Sequence, residues 1–116
     1  MNIYLATPVN ARKEKTMQQK SEAAYKRILE MREYITKHFC DADFYYSFLL
    51  REAFDFMSEA EIMGACVTMV MQADMIVLDD GWECSQGCTV ERFVAMQYGK
   101  QVKTINSFKL AEKLKK

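Results

Sequence analysis

Four consecutive apolar residues, Met75–Leu78 (MIVL), run straight into the polar segment 79–91 (DDGWECSQGCTVE). No other stretch restricts the fold so tightly. A short strand that is apolar on both sides belongs in the middle of a parallel sheet, with helices covering both faces. Parallel neighbours cannot be joined by a hairpin, so the remaining chain has to supply crossover helices between further strands.

The flanking sequence meets that demand. Residues 3–6 (IYLA) read as a first strand, stopped by Pro8 and followed by a loop over 7–12. From Lys13 the apolar positions Met17, Ala24, Ile28, Met31 and Ile35 recur at helical spacing, which predicts an amphipathic helix over 13–38. The aromatic stretch 42–48 (ADFYYSF) predicts a second strand. Ser58 offers an N-cap, with Glu61 completing a capping box, for a helix reaching about Ala73. That helix is apolar on nearly every face, so heavy burial is expected, against the sheet or a neighbouring subunit. After the central strand, a helix is expected from near Ser85 to Tyr98, closed by Gly99. A strand over 102–105 and a last helix over 108–116 complete the alternation. The expectation is one domain over 1–116, a flavodoxin-like three-layer α/β sandwich with a parallel sheet of about four to five strands.

Charge and cysteine content narrow the partners. Sixteen basic residues balance sixteen acidic ones, so no net field draws the chain to nucleic acid or anionic membrane. The basic groups near the ends (Arg12, Lys13, Lys15, and Lys109, Lys113, Lys115, Lys116) read as solvated surface. No apolar run approaches the ~20 residues of a membrane span, and Met1 leads into a strand without a basic leader. Four cysteines and nine methionines suit a reducing cytoplasm. Cys84 and Cys88 lack further metal ligands nearby, and His38 reads as a residue at a helix end. Neither a metal nor an organic cofactor is expected. For so short a chain, a homodimer or larger homo-oligomer is expected.

In open parallel sheets the ligand lies beyond the carboxyl ends of the strands. Two loops qualify, 7–12 and 79–87, and the second carries more chemistry. A helix N-terminus follows it, with free N–H groups and partial positive charge suited to an anion, and Ser85 adds a hydroxyl. Glu91 stands in the first turns of that helix, either as a favourable partner for the helix dipole or as a carboxylate nucleophile. Asp79 and Asp80 form an acid–base pair on one reading and end a strand in a solvated turn on the other. Trp82 is placed either to stack on a base or to fill a subunit contact.

The opening IYLATPV and the segment ADMIVLDDGWECSQGCTVE, followed by Ala95 and Gly99, resemble the nucleoside 2-deoxyribosyltransferase superfamily. The likeness is greatest to small phage and bacterial members with a GWE-x-S-x-G-x-x-x-E motif, matched by Gly81, Trp82, Glu83, Ser85, Gly87 and Glu91. The resemblance implies that Glu91 attacks the anomeric carbon of a deoxyribose, that Ser85 contacts a 5′-phosphate, and that Tyr4 approaches the ligand. With Thr7, Trp82 and Gly87 these form the expected binding set, and Asp79 and Asp80 accompany Glu91 as catalytic candidates. It implies a small-molecule nucleoside or nucleotide partner and cleavage of an N-glycosidic bond, or deoxyribosyl transfer. Two positions depart from the family pattern: Cys66 stands where an Asp is usual, and Thr7 where a Gly is usual. They keep open a second expectation, a nucleotide-binding module without catalysis.

Overall fold

The computed structural model describes residues 1–9 and 16–114. Strand β1 (Asn2–Ala6) leads to helix α1 (Met17–Thr36), β2 (Asp43–Tyr45), a 3₁₀ stretch (Ser47–Phe56) and α2 (Glu59–Gln72). Then come β3 (Met75–Leu78), a 3₁₀ turn (Trp82–Cys84), α3 (Gln86–Gln97), β4 (Gln101–Thr104) and α4 (Ile105–Leu114). All neighbouring strands run parallel, in the order β2-β1-β3-β4. This is the expected three-layer α/β arrangement, with a four-stranded sheet.

The period-2 geometry of the strands sorts the core into two halves. Ile3 and Leu5 of β1, with Met75 and Val77 of β3, face Ala24, Ile28, Met31 and Ile35 of α1 and Ile105 and Phe108 of α4. Tyr4, Ala6, Ile76 and Leu78 face the other way, onto Cys66 and Val70 of α2 and Cys88 and Ala95 of α3. Since α1 covers one face while α2 and α3 cover the other, the crossover from β1 and the crossover into β4 leave in opposite directions. The reversal falls between β1 and β3, and their carboxyl ends open a crevice there.

Several boundaries differ from expectation for identifiable reasons. Helix α1 starts at Met17 because Thr16 and Gln19 form a capping box; residues 13–15 lie outside those described. Only Asp43–Tyr45 of the aromatic stretch pairs as a strand, matched to Asn2, Ile3 and Tyr4 of β1. As an edge strand it has no second neighbour to extend it, and from Ser47 the chain coils into the 3₁₀ stretch. Helix α2 does open on the Ser58–Glu61 capping box, but only Cys66 and Val70 are buried within it. Its other large apolar residues are half-buried, with Ile62 and Met69 packed against the same core, and only Met71 is exposed. Helix α4 begins at Ile105, earlier than expected, because Ile105 is drawn into the core beneath α1. Among the described residues no helix is long and apolar enough to cross a membrane.

Candidate functional site

Tyr4 sits in mid-β1 and, by alternation, points to the α2–α3 face, where its hydroxyl donates a hydrogen bond to Oε2 of Glu91. Glu91 lies in the second turn of α3, turned inward, and only 6% of it is exposed. Burial penalises the charged carboxylate and pushes its pKa up to about 7 from the ordinary 4.5, although the Tyr4 hydrogen bond pulls the other way. Burial and the neighbouring Glu91 charge raise the Tyr4 phenol well above its ordinary value, so it remains a proton donor. Cys66 of α2 joins the same cluster through a hydrogen bond with Tyr4. Burial pushes its thiol up to about 11, so it stays protonated at neutral pH. Glu91 is thus the one member of the cluster that changes charge near pH 7.

Above this cluster opens a cavity of about 450 Å³, lined by Thr7, Ser47, Cys66, Ser85, Gly87 and Glu91 among others. A cavity of that size accommodates a small organic ligand. Gly81 makes the turn into it possible, with a φ of 83° that suits glycine and disfavours other residues. Ser85 then caps α3, its Oγ accepting from the Cys88 N–H at 3.2 Å. At Gly87 an added Cβ would stand 3.4 Å from Cε of Met63, an ordinary contact with the flexible end of that side chain at the cavity wall.

The two aspartates take different partners. Asp79 is 2% exposed and accepts from Thr7 Oγ1 at 2.7 Å, Arg27 Nη2 at 2.6 Å and Arg27 Nε at 3.0 Å. Burial alone would raise its pKa, but hydrogen bonds from Arg27 and Thr7 and the Arg27 charge outweigh it and hold the carboxyl below its ordinary range. Asp80 is exposed and accepts from Asn106 Nδ2 at 2.7 Å. They are not placed as a proton-sharing pair, and neither lines the cavity. Asp79 instead ties α1 to the ends of β1 and β3 through Arg27 and Thr7.

Thr7, Ser85, Gly87 and Glu91 are therefore brought together at the cavity, with Tyr4 beneath Glu91. Trp82 is not in the lining; it packs against the α2–α3 core with the Arg92 guanidinium 5.0 Å from its ring centre. Residues 10–12 of the first loop lie outside those described. Arg27 was not anticipated from the sequence: it flanks the apolar stripe at Ala24, Ile28 and Met31, where a long basic side chain ordinarily reaches solvent. Ser47 gave no such signal. Among the described residues no three His, Cys, Asp or Glu side chains group as a metal site, and no two cysteines form a disulfide.

A family model described as "Domain of unknown function (DUF4406)" matches residues 1–104. The chain belongs to the DUF4406 family. That match runs from β1 to the end of β4 and takes in every residue of the cavity and of the Asp79 network. No curated protein and no solved structure matches this DUF4406 chain.

Two tests follow from the electrostatics of this DUF4406 site. Arg27→Ala leaves the Asp79 carboxylate buried without its cation and should cost about 2–3 kcal/mol at pH 7 in denaturant unfolding. Because the folded-state pKa of Asp79 is depressed, that loss should shrink as pH falls through the acid range, where the carboxyl protonates. Glu91 behaves oppositely. Its raised pKa makes the folded protein hold a proton that the unfolded chain releases, so stability falls as pH rises from 4.5 to about 7. Glu91→Gln removes that dependence, and its advantage over the parent should grow across this window to on the order of 1–3 kcal/mol above pH 7, read as melting temperature against pH.

Proposed function

We propose that this protein cleaves the N-glycosidic bond of a deoxyribonucleoside or its 5′-monophosphate, or transfers the deoxyribosyl group, with Glu91 as the nucleophile. The observation that carries this reading is a buried carboxylate with a tyrosine donor, facing a cavity at the carboxyl edge of a parallel sheet. A pKa of about 7 leaves a substantial ionised fraction at neutral pH while keeping the group poorly solvated, which suits attack on carbon. In this scheme Tyr4 fixes the carboxylate through Oε2, and Oε1 attacks C1′ of the sugar. The C1′–N bond breaks, its electron pair leaves with the base, and the base takes up a proton. Water or a second base then attacks C1′ and frees Glu91. In this scheme Ser85 and the N–H groups opening α3 receive the 5′ end of the substrate, and Thr7 and Gly87, which line the same cavity, complete the wall. No metal or organic cofactor takes part in this scheme. Cysteines that form no disulfide among the described residues accord with a reducing, cytoplasmic setting.

A second reading has one observation in its favour. The side chain nearest the Tyr4–Glu91 pair on α2 is the protonated thiol of Cys66, which supplies no carboxylate to assist the leaving base. On that reading the protein binds a nucleotide without turning it over.

Incubation with each of the four deoxynucleosides and their monophosphates, followed by chromatography, separates the two. Free base should appear, and Glu91→Gln should reduce its rate by about 10³-fold or more while leaving ligand binding in place. No base from any substrate, in protein whose melting temperature a nucleotide still raises, would leave the binding module. The pH profile gives a further test. Because the Tyr4 hydrogen bond lowers the Glu91 pKa, Tyr4→Phe should move the acid limb of kcat/KM above pH 7, with activity lost at neutral pH and partly recovered in alkali.

A further inference from the structure

Helices α1 and α4 pack together on the face of the sheet opposite Glu91, and a cavity of about 590 Å³ opens between them. Tyr34 and Lys37 line it from the end of α1, and Lys109, Leu110, Glu112 and Lys113 line it from α4. From the sequence alone Lys109 and Lys113 read as solvated surface, but the fold gathers them with Lys37 at one hollow.

The charges there are arranged and left uncompensated. Nζ of Lys37 and Nζ of Lys109 both stand over the Tyr34 ring, 5.5 and 5.7 Å from its centre. The negative face of the ring attracts each ammonium to that place. Lys113 is four residues beyond Lys109, so it leaves the same side of α4 one turn on. No carboxylate of the described residues pairs with any of the three lysines. Glu112, the one carboxylate in the lining, is directed to His38, with Oε1 3.5 Å from Nε2. The hollow therefore holds three ammonium groups against one carboxylate, in a chain with no net charge.

This arrangement selects an anion, and its spread says of what kind. Successive lysines on α4 are about 6 Å apart along the groove, so an elongated anion with several charges meets all three better than a compact one. Lysine serves phosphate as a point charge on a flexible stem, which suits a chain of phosphates without fixed angles. The volume is enough for a small organic molecule, and Leu110, 57% exposed, offers an apolar contact for it.

We propose that the α1–α4 groove binds a small polyphosphate anion, a chain of linked phosphate groups either free or carried on a nucleoside, through Lys37, Lys109 and Lys113. The groove lies across the sheet from the Glu91 cavity and is independent of the reaction assigned there.

Calorimetric titration of the full chain at low ionic strength with sodium tripolyphosphate, ATP and inorganic phosphate tests the site. Tripolyphosphate and ATP should each bind once per chain, about tenfold or more tighter than inorganic phosphate, and more weakly as salt is added. Lys37→Gln and, separately, Lys109→Gln should each weaken that binding by about fivefold or more, with circular dichroism and melting temperature confirming the fold. Lys26→Gln, an exposed lysine of α1 outside the groove, should leave it unchanged. Equal affinity for the two probes assigns the groove to the phosphate chain itself, and tighter binding of ATP assigns it to a nucleotide resting on Leu110. Failure of both probes to bind overturns the proposal. So does binding that survives both groove substitutions, or that Lys26→Gln weakens as much as they do.

Discussion

Strands β1 and β3 are hidden on both faces, so every side chain they carry has to meet an opposing helix. The odd positions Ile3, Leu5, Met75 and Val77 meet α1 and α4, and the even positions Tyr4, Ala6, Ile76 and Leu78 meet α2 and α3. A one-residue slip in either strand would exchange these sets and turn Tyr4 away from α3. The placement of the Tyr4 hydroxyl against Glu91 is therefore a consequence of core packing. The same two-sided burial puts α1 opposite α2 and α3, and that division creates the crevice between β1 and β3.

At this crevice two buried carboxylates have opposite fates. Asp79 is enclosed with a guanidinium and held ionised, and it serves as a fixed anchor joining α1, the β1 loop and the end of β3. Glu91 is enclosed with a phenol and a thiol, neither of which brings a positive charge, and so its proton is easily kept. The anchor stabilises the fold at neutral pH while the other carboxylate costs stability there. A costly buried ionisable group beside a cavity is the usual trace of a working site, since packing alone would favour an apolar residue.

Much of this could be read from the chain. Apolar runs located β1 and β3, helical spacing located α1, and the Ser58–Glu61 pair marked the start of α2 to the residue. Ser85, Gly87 and Glu91 were legible as a group because one loop and one helix carry them. Long-range pairings were not. Nothing local says that Arg27 reaches Asp79 across 52 positions, or that Tyr4 reaches Glu91 across 87. Asp79 and Asp80 looked like a pair because they are adjacent, but both lie in the turn beyond β3, where Asp79 takes Arg27 and Thr7 and Asp80 takes Asn106. The extent of β2 was misjudged because aromatic content reports strand preference, whereas an edge strand lasts only as long as its single neighbour supports it.

The junction between β4 and α4 has a mechanical meaning. Thr104 ends the strand and Ile105 begins the helix, with no residue between them to absorb a twist. Asn106, one position on, grips Asp80 at the lip of the β3 loop. Two turns of helix would separate most loops from the far layer, but here Phe108 already stacks edge-on against His38 and Phe39 beyond α1. One short helix thus joins the rim of the crevice, through Asn106, to the aromatic rings behind the sheet, through Phe108.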